Sequence, residues 1–237
     1  MHYKTHSVPD DTHVYAIGDI HGRVDLLAKM LDMIRHDVAG ETANRRVLVF
    51  LGDYVDRGLQ SRQVIDLLLS GPMPGFEAVF LKGNHDELLL AYLEDESVGE
   101  YWFSVGGDAT LLSYGIACRS GQVTNSWKQF QNVLPASHRS FLSGLSSMHV
   151  EGDYAFTHAG IRPGKALAVQ RDEDLMWGCE KFADDERDHG KMIVHGHFYA
   201  PEPEVRHNRI GIDTGACATG CLTCLVLSGA TQRFLYT

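Results

Sequence analysis

The sequence LGDYVDRG, residues 51–58, follows an apolar run at 47–51 and indicates how this chain folds. The run is short and apolar throughout, which is typical of a buried strand. Directly after it come Asp53, Asp56 and Arg57, three charged side chains at the point where the strand opens into a loop. A surface turn would also explain these residues, since Gly and Asp are common in turns.

The same arrangement occurs on both sides of this stretch and favours a metal centre over a turn. An apolar segment at 14–17 leads into GDIHG at 18–22, and another at 78–81 leads into GNHD at 83–86. In each case a glycine is followed by residue types that bind metal ions. Burying such groups without partners costs free energy, so three strand ends of this kind predict loops that meet at one site.

Segments with helical periodicity separate these strands. Apolar residues recur at helical intervals across 23–38, and further helices are expected from Ser61 onward and across 85–93. This β-α-β-α-β-α order predicts parallel strands with helical crossovers. Later strands, with more antiparallel pairing, are expected at 154–157, 192–194 and 222–227.

The stretch 97–150 differs from the rest, because it combines a Gly106-Gly107 pair with scattered aromatic residues and leucines. This composition predicts a small helical insertion, which we expect to cap the site. No repeat or low-complexity linker divides the chain. We therefore predict one domain over residues 1–237, with 97–150 as its cap.

Composition limits the classes of function. A chain of 237 residues with 44% apolar and 22% charged residues is ordinary for a globular protein. A formal net charge of −10 argues against nucleic acid held by bulk charge. No apolar run reaches the ~20 residues of a membrane span, so we expect no membrane contact.

The five cysteines lack the spacing of a disulfide framework and predict reduced thiols in a cytoplasmic protein. Cys217, Cys221 and Cys224 do have the C-x-x-x-C-x-x-C spacing that binds iron–sulfur clusters in radical enzymes. They fall in an apolar, strand-like run, where buried thiols are common. We favour core packing over a cluster.

Two later strands also end in histidines. The strand-end groups that suit a metal are then six in number: Asp19, His21, Asp53, Asn84, His158 and His197. Carboxylate, imidazole and amide groups suit manganese, iron or zinc. Six groups exceed one tetrahedral site and predict two divalent ions that share a bridging carboxylate, the arrangement that activates water and binds a phosphoryl group.

These residues resemble the three signatures of the calcineurin-like metallophosphoesterases, carried here by GDIHG, GDYVDRG and GNHD. More narrowly, the chain is similar to the phosphoprotein phosphatase branch, which includes bacterial serine/threonine protein phosphatases and symmetrical diadenosine tetraphosphatases. The resemblance extends through HAGIRPG (158–164), HGH (195–197) and IDTGA (212–216), and covers nearly the whole chain. It implies the metallo-dependent phosphatase fold, an α/β fold of two mixed β-sheets packed as a sandwich flanked by helices.

The resemblance implies how the six groups divide between two ions. One ion would lie on Asp19, His21 and Asp53. The other would lie on Asp53, Asn84, His158 and His197, so that Asp53 bridges the pair. The expected metal is manganese, with iron or zinc as alternatives. His195 lies two residues before His197, on the same face of an extended strand, and the family pattern favours His197 as the ligand.

The resemblance also implies the catalytic roles. His85 would protonate the leaving oxygen, Asp56 would hold the His85 ring, and Arg57 would bind the phosphate. A histidine beside a carboxylate is a common proton donor. A planar guanidinium binds two phosphate oxygens at once, which a lysine does not.

One position departs from the pattern of many bacterial relatives, which carry an arginine in a W-x-R-x-x-F segment as a second phosphate clamp. The corresponding stretch here, 177–182, reads WGCEKF, with Cys179 at the arginine position. Either Arg162 or Lys181 takes that role, or Arg57 and the metals bind the phosphate without it. The expected substrate-binding residues are Arg57, Asn84, His85 and Arg162.

The implied reaction is phosphoester hydrolysis by a dinuclear metal-activated hydroxide, without a covalent intermediate. We predict a serine/threonine phosphoprotein phosphatase, with phosphotyrosine as a further substrate. The alternative is a symmetrical diadenosine tetraphosphatase or a related nucleotide pyrophosphohydrolase. The substrate is accordingly a phosphoprotein or a phosphorylated small molecule. A non-catalytic interaction module is disfavoured, because His85, Asp56 and the ligand set are all present.

Overall fold

The structure, a computed structural model, describes residues 5–40, 43–71, 73–117 and 123–237. Within these ranges two five-stranded sheets are surrounded by helices. The strands are β1 (Thr12–Ile17), β2 (Arg45–Phe50), β3 (Glu77–Phe80), β4 (Met148–Glu151), β5 (Tyr154–Thr157), β6 (Met192–His195), β7 (Glu204–Val205), β8 (Arg209–Gly211), β9 (Thr223–Ser228) and β10 (Thr231–Tyr236). The α-helices are α1 (Val24–Asp37), α2 (Ser61–Leu69), α3 (Asn84–Glu94), α4 (Gly99–Ser104), α5 (Gly107–Ser113), α6 (Val123–Val133), α7 (Ala136–Ser143), α8 (Asp172–Trp177) and α9 (Ala216–Thr219).

The first sheet has the strand order β10-β9-β1-β2-β3. Strands β1, β2 and β3 are parallel, with Val14 beside Val47 and Phe50 beside Phe80. Helices α1 and α2 connect these strands, and α3 follows the third, as the sequence predicted. Helix α1 forms where apolar residues recur at helical spacing, and it buries Leu27, Met30 and Ile34.

The second sheet has the order β4-β5-β6-β8-β7. Its central strands β5, β6 and β8 are parallel, whereas the outer strands β4 and β7 run antiparallel to their neighbours. Strands β9 and β10 join the first sheet in antiparallel pairing. Both sheets are therefore mixed, and the predicted fold class is confirmed.

Successive side chains of a strand point to opposite faces, and this alternation divides the core. Val14 and Ala16 of β1 lie in a buried apolar cluster with Phe156 and Val194 of the second sheet. Tyr15, between them, lies in another cluster with buried residues of α1, α2 and α3. One face of the first sheet thus packs on the second sheet and the other packs on the helices.

Helices α4 to α7 occupy much of the stretch 97–150. Their residues Trp102, Leu111, Phe130 and Leu142 lie in the same buried cluster as residues of α1, α2 and α3. These described helices therefore pack into the core beside α1, α2 and α3. The role of the stretch 97–150 as a cap and the single-domain division of the chain stay predictions. In the described part of the chain, no helix has the length and apolar character needed to cross a bilayer.

The loops that follow the parallel strands approach one another closely. Gly52, after β2, has a φ of 103°, and a Cβ there would lie 2.5 Å from the backbone N of Gly83, after β3. A Cβ on Gly18, after β1, would lie 2.5 Å from the carbonyl oxygen of Ile212, after β8. Any side chain at Gly18 or Gly52 would push these loops apart. The carboxyl ends of strands from both sheets therefore meet at one place.

Asp86, in the first turn of α3, accepts hydrogen bonds from the loops that follow β2 and β3. Its Oδ2 accepts hydrogen bonds from the backbone N of Asp53 and of Gly83, each at 2.9 Å. Its Oδ1 accepts from the backbone N of Tyr54 at 3.1 Å. Burial, and then the charge of Asp53, raises the pKa of Asp86 well above its usual value. One buried carboxyl group thus satisfies three backbone donors.

We expect Asp86→Asn to lower the free energy of unfolding by about 1–3 kcal/mol. An amide has one acceptor oxygen, and its NH₂ group would face backbone donors. Urea unfolding measures the change. Glu94→Gln, at the other end of α3 with a side chain 78% exposed, is the control, and its effect should stay below about 0.5 kcal/mol. Equal losses in both variants would contradict this role of Asp86.

Candidate metal centre

Asp53 lies at the centre of the converging loops, buried between groups from both sheets. Its Oδ2 is 3.4 Å from Nε2 of His21, after β1, and 3.5 Å from Nε2 of His158, after β5. Its Oδ1 accepts a hydrogen bond from the backbone N of His85 at 3.0 Å. Burial raises the pKa of Asp53, but the neighbouring imidazoles outweigh it, and the net pKa lies below its ordinary value.

His21 and His158 each present a ring nitrogen lone pair to this site. Nδ1 of His21 donates to the carbonyl of Val55 at 2.8 Å, and Nδ1 of His158 donates to that of Leu51 at 2.9 Å. Because a carbonyl only accepts, Nδ1 carries a proton in each ring, and the neutral tautomer with this proton has its lone pair on Nε2. Nε2 of His21 is buried without a hydrogen-bond partner. Burial also lowers the pKa of His21 to about 3, so this ring is neutral and fits a metal ion.

Asn84, the first residue of α3, brings an amide oxygen to the same place. Its Oδ1 lies 3.1 Å from Nε2 of His158 and 3.0 Å from Nδ1 of His197. Ligand atoms held about 2.0–2.2 Å from one ion lie roughly 3 Å apart. Burial lowers the pKa of His197 to about 4, which keeps that ring neutral. The spacing and chemistry of these three side chains fit a divalent cation.

Two sets of three side chains, among the residues that the structure describes, bring their ligand atoms within 4.8 Å of one another. The first set is His21, Asp53 and His85, and the second is Asp53, His158 and His197. Asp53 belongs to both, as a bridging carboxylate would. The first set differs from the one that the sequence implied, because it contains His85 where Asp19 was expected.

Asp19 lies at the site through a different contact. Both of its carboxylate oxygens accept from the backbone N of His197, at 3.1 and 3.3 Å. Burial raises the pKa of Asp19 well above its usual value, and the charges of Asp213 and Asp53 raise it further. Three acidic groups are thus held close together in the interior. A bound cation would relieve their mutual repulsion.

His85 and Asp56 form a buried pair beside the metal ligands. Nδ1 of His85 donates to Oδ2 of Asp56 at 2.7 Å. Nη2 of Arg57 lies 3.1 Å from Nε2 of His85. Burial lowers the pKa of His85, but the carboxylates of Asp53 and Asp56 outweigh it and the net pKa is raised. A histidine with a carboxylate on one nitrogen and a guanidinium at the other is arranged to bind an anion and exchange a proton with it.

Sequence reasoning missed three buried residues at this site. Asp86 follows His85 in GNHD, and no role was predicted for it. Trp102 and Thr110 donate hydrogen bonds to the Asp56 carboxylate, each at 2.7 Å. They lie 46 and 54 residues from Asp56 in the chain, and no motif marks them.

Arg162, which was expected to bind the substrate, forms an ion pair with Asp174. Its Nε and Nη2 donate to the two oxygens of Asp174 at 2.8 and 2.5 Å. With Lys181 and Cys179 it lines a cleft of about 430 Å³. Cys179 itself packs against a buried apolar cluster that contains Ile161. The substrate-binding role of Arg162 stays a prediction.

His195 and His197 diverge, although both were expected on one face of a strand. His197 has a φ of 61°, so the extended backbone ends before it. His195, the last residue of β6, donates from Nδ1 to the carbonyl of Gly196 at 3.0 Å and packs on Phe182. Burial lowers the pKa of His195 to about 4. The left-handed turn at His197 thus directs only that ring toward Asn84.

The cysteine pattern near the C-terminus contributes no ligand to the two sets described above. Cys224 is buried in β9, and its thiol lies 3.6 Å from the carbonyl of Leu225. Burial raises the pKa of the Cys224 thiol far above its usual value. This thiol has the environment of a core residue.

Residues 12–210 match the family model described as calcineurin-like phosphoesterase. An asymmetrical bis(5'-nucleosyl)-tetraphosphatase of Anoxybacillus flavithermus is 30% identical over 230 residues, which cover 88% of each chain. Serine/threonine-protein phosphatase 2 of Escherichia coli is 25% identical over 222 residues, which cover 89% of this chain and 91% of that protein.

Solved structures share the fold. A putative diadenosine tetraphosphatase superposes with a TM-score of 0.64 at 20% identity, covering 94% of this chain and 93% of that one. A cold-active protein tyrosine phosphatase superposes with a TM-score of 0.61 at 16% identity, covering 97% of this chain and 81% of that one. With the matched family model and the relatives above, these findings show that the chain belongs to the calcineurin-like phosphoesterase family and is a metal-dependent enzyme that hydrolyses phosphoesters.

Proposed function

We propose that this enzyme removes phosphate from phosphoserine and phosphothreonine in proteins, with phosphotyrosine as a further substrate. The observation that carries the proposal is the 2.7 Å hydrogen bond from Nδ1 of His85 to Asp56, beside Arg57. A seryl or threonyl oxygen is very basic when it leaves phosphorus, so it needs a proton as the bond breaks. The His85–Asp56 pair is suited to donate that proton.

The reaction that we propose is a single displacement. Water adds to phosphorus as the bond to the seryl oxygen breaks, and His85 gives that oxygen a proton. The proton that the attacking water loses returns to His85 through solvent, so that serine and inorganic phosphate are the products. Arg57 binds the phosphate oxygens and holds the phosphorus in line. Asn84 and Arg162 are the other substrate-binding residues in this proposal.

Two divalent ions per chain, with manganese as the resident metal, complete the proposal. One ion is assigned to Asp19, His21 and Asp53, and the other to Asp53, Asn84, His158 and His197. The partnerless Nε2 of His21 and the close approach of Asn84 to His158 and His197 support this assignment. When bound, such a pair of ions activates water and neutralises charge on the phosphoryl group.

A second candidate function is hydrolysis of dinucleoside tetraphosphates, which the relative from Anoxybacillus flavithermus favours. The leaving group would then be a nucleotide phosphate, which is far less basic than a seryl oxygen. Such a leaving group has little need of a proton donor. The buried His85–Asp56 pair therefore supports the phosphoprotein substrate more than the dinucleotide.

The test is a comparison of kcat/KM for the manganese-loaded enzyme on a phosphoserine peptide, diadenosine tetraphosphate and p-nitrophenyl phosphate. We expect the phosphopeptide to have the highest kcat/KM of the two natural substrate types. A higher kcat/KM on diadenosine tetraphosphate would replace the first candidate by the second. The aryl phosphate reports whether the metal centre is loaded in every preparation.

We expect the wild-type protein, refilled with manganese, to hold two ions per chain. Asp53→Asn should lose both, because the bridging carboxylate is gone, whereas Asp19→Asn should mainly weaken one. Metal content after gel filtration measures this. Asp32→Asn, an exposed acid on α1, is the matched control and should keep both ions. A ratio that stays near one for the saturated wild-type protein would overturn the bridging role of Asp53.

We expect His85→Asn to keep the metals and to slow hydrolysis of the phosphoserine peptide by about 10²–10⁴-fold, the usual contribution of general acid catalysis. The loss on p-nitrophenyl phosphate should be much smaller, because nitrophenolate leaves without a proton. Asp56→Asn should show the same pattern more mildly, since the ring loses only its orienting carboxylate.

His36→Asn, an exposed histidine on α1, is the control and should leave both rates unchanged. Equal losses on both substrates with the metals still bound would mean that His85 stabilises charge on the phosphoryl group instead. Loss of metal in His85→Asn would make His85 a ligand, in agreement with its place beside His21 and Asp53.

A further inference from the structure

The carboxylate of Asp56 is held by donors from the middle of the chain as well as by His85. Its Oδ2 accepts from Nε1 of Trp102 at 2.7 Å, the same distance as from Nδ1 of His85. Its Oδ1 accepts from Oγ1 of Thr110, also at 2.7 Å. Both oxygens are thus engaged, and the two donors other than His85 belong to α4 and α5. We call Trp102, Gly106 and Thr110 the α4–α5 corner.

The same corner also forms hydrogen bonds with the backbone of Asp56 and Arg57. The backbone N of Asp56 donates to Oγ1 of Thr110 at 2.8 Å and to Oγ of Ser61 at 3.1 Å. The backbone N of Arg57 donates to the carbonyl of Gly106 at 3.0 Å. Thr110 therefore closes a ring, since its hydroxyl accepts from the amide of Asp56 and donates to the carboxylate of the same residue.

The backbone at Asp56 and Arg57 is strained and therefore requires contacts that stabilise it. Asp56 has a φ of 71° and Arg57 a φ of 64°, two successive residues with side chains in the left-handed region. Such a conformation persists only where the surroundings impose it, and it is common at sites of chemistry. Hydrogen bonds from these two backbone amides to Thr110, Ser61 and Gly106 stabilise it here.

The corner also packs against the helix that carries His85. Trp102 and Thr110 are completely buried. The Trp102 ring lies 4.8 Å from the ring of Tyr92, in α3, and 6.1 Å from that of Phe130, in α6. Because α3 begins with Asn84 and His85, the same packing fixes the corner relative to the His85 ring.

We propose that the α4–α5 corner positions the proton donor, with Trp102 and Thr110 as positioning residues for the Asp56–His85 pair. The inference rests on the proposed role of His85 and extends it to residues outside the three sequence motifs. Donors on both oxygens fix the plane of the Asp56 carboxylate, and this plane fixes the direction of the Nδ1–H bond of His85. The ring then aims Nε2 at the leaving oxygen. Helices α4 and α5 thereby supply part of the catalytic geometry.

Thr110→Val is the sharpest test, because it removes the hydroxyl while keeping the shape of the side chain. Thr110→Ser keeps the hydroxyl and is its matched control. Trp102→Phe removes the second donor. Phe130→Leu loosens the packing around Trp102 but removes no hydrogen bond to Asp56, so it controls for the packing that Trp102→Phe loses. For each variant we would measure kcat and KM on a phosphoserine peptide and on p-nitrophenyl phosphate, together with manganese content.

We expect Thr110→Val and Trp102→Phe to lower kcat on the phosphopeptide by about 10-fold or more, a fraction of the full effect of general acid catalysis. The loss on p-nitrophenyl phosphate should stay within about threefold, because nitrophenolate needs no proton. KM and metal content should stay at wild-type values. Thr110→Ser should restore the phosphopeptide rate, and Phe130→Leu should retain the wild-type ratio of the two rates.

Two results would overturn the inference. One is an equal loss on both substrates in Thr110→Val, and the other is a Thr110→Val rate on phosphopeptide that matches the wild type. If His85→Asn affects the phosphopeptide selectively and Thr110→Val does not, only the role of the corner fails. If His85→Asn itself shows no selectivity, the proposed proton donor fails first, so the two failures are distinguishable.

Discussion

The structure depends on the burial of a charged carboxylate, that of Asp53, where two sheets meet. An ionised group away from water is tolerated only with compensating partners, and here they come from β1, β5 and α3. The backbone amide of His85 and the imidazoles of His21 and His158 surround the carboxylate, and Asp86 accepts from the backbone N of Asp53. The strand ends must therefore converge, and the glycines at Gly18 and Gly52 make that convergence sterically possible.

Much of this arrangement is readable in the sequence, because its parts are local. Each parallel strand is a short apolar run, and the residue that enters the site follows within a few positions of its end. The periodicity of α1 places Leu27, Met30 and Ile34 on one face, which is enough to predict a helix on the sheet. Parallel strands bring their carboxyl ends to one edge, so the meeting of Asp19, Asp53 and Asn84 follows from the strand order.

What sequence reasoning missed depends on contacts between distant segments or on single backbone angles. Trp102 lies in an aromatic-rich stretch where many residues simply fill the core, and only the packing of α4 on α3 singles it out. The divergence of His195 and His197 depends on one positive φ that no local rule assigns to a histidine. The pairing of Arg162 with Asp174 likewise joins a loop to α8 twelve residues later. Such features arise only when elements are packed together.

The attachment of Asp56 to the α4–α5 corner has a consequence for how the enzyme loses activity. The groups around Asp53 are held by strands of both sheets, whereas the Asp56 carboxylate is held largely by short helices. Short helices with few hydrogen bonds of their own open more readily than central strands. A local opening of this corner would leave the metal ligands in place and release the proton donor. Mild heat or denaturant would then change which phosphoesters the enzyme hydrolyses before it unfolds the sheets.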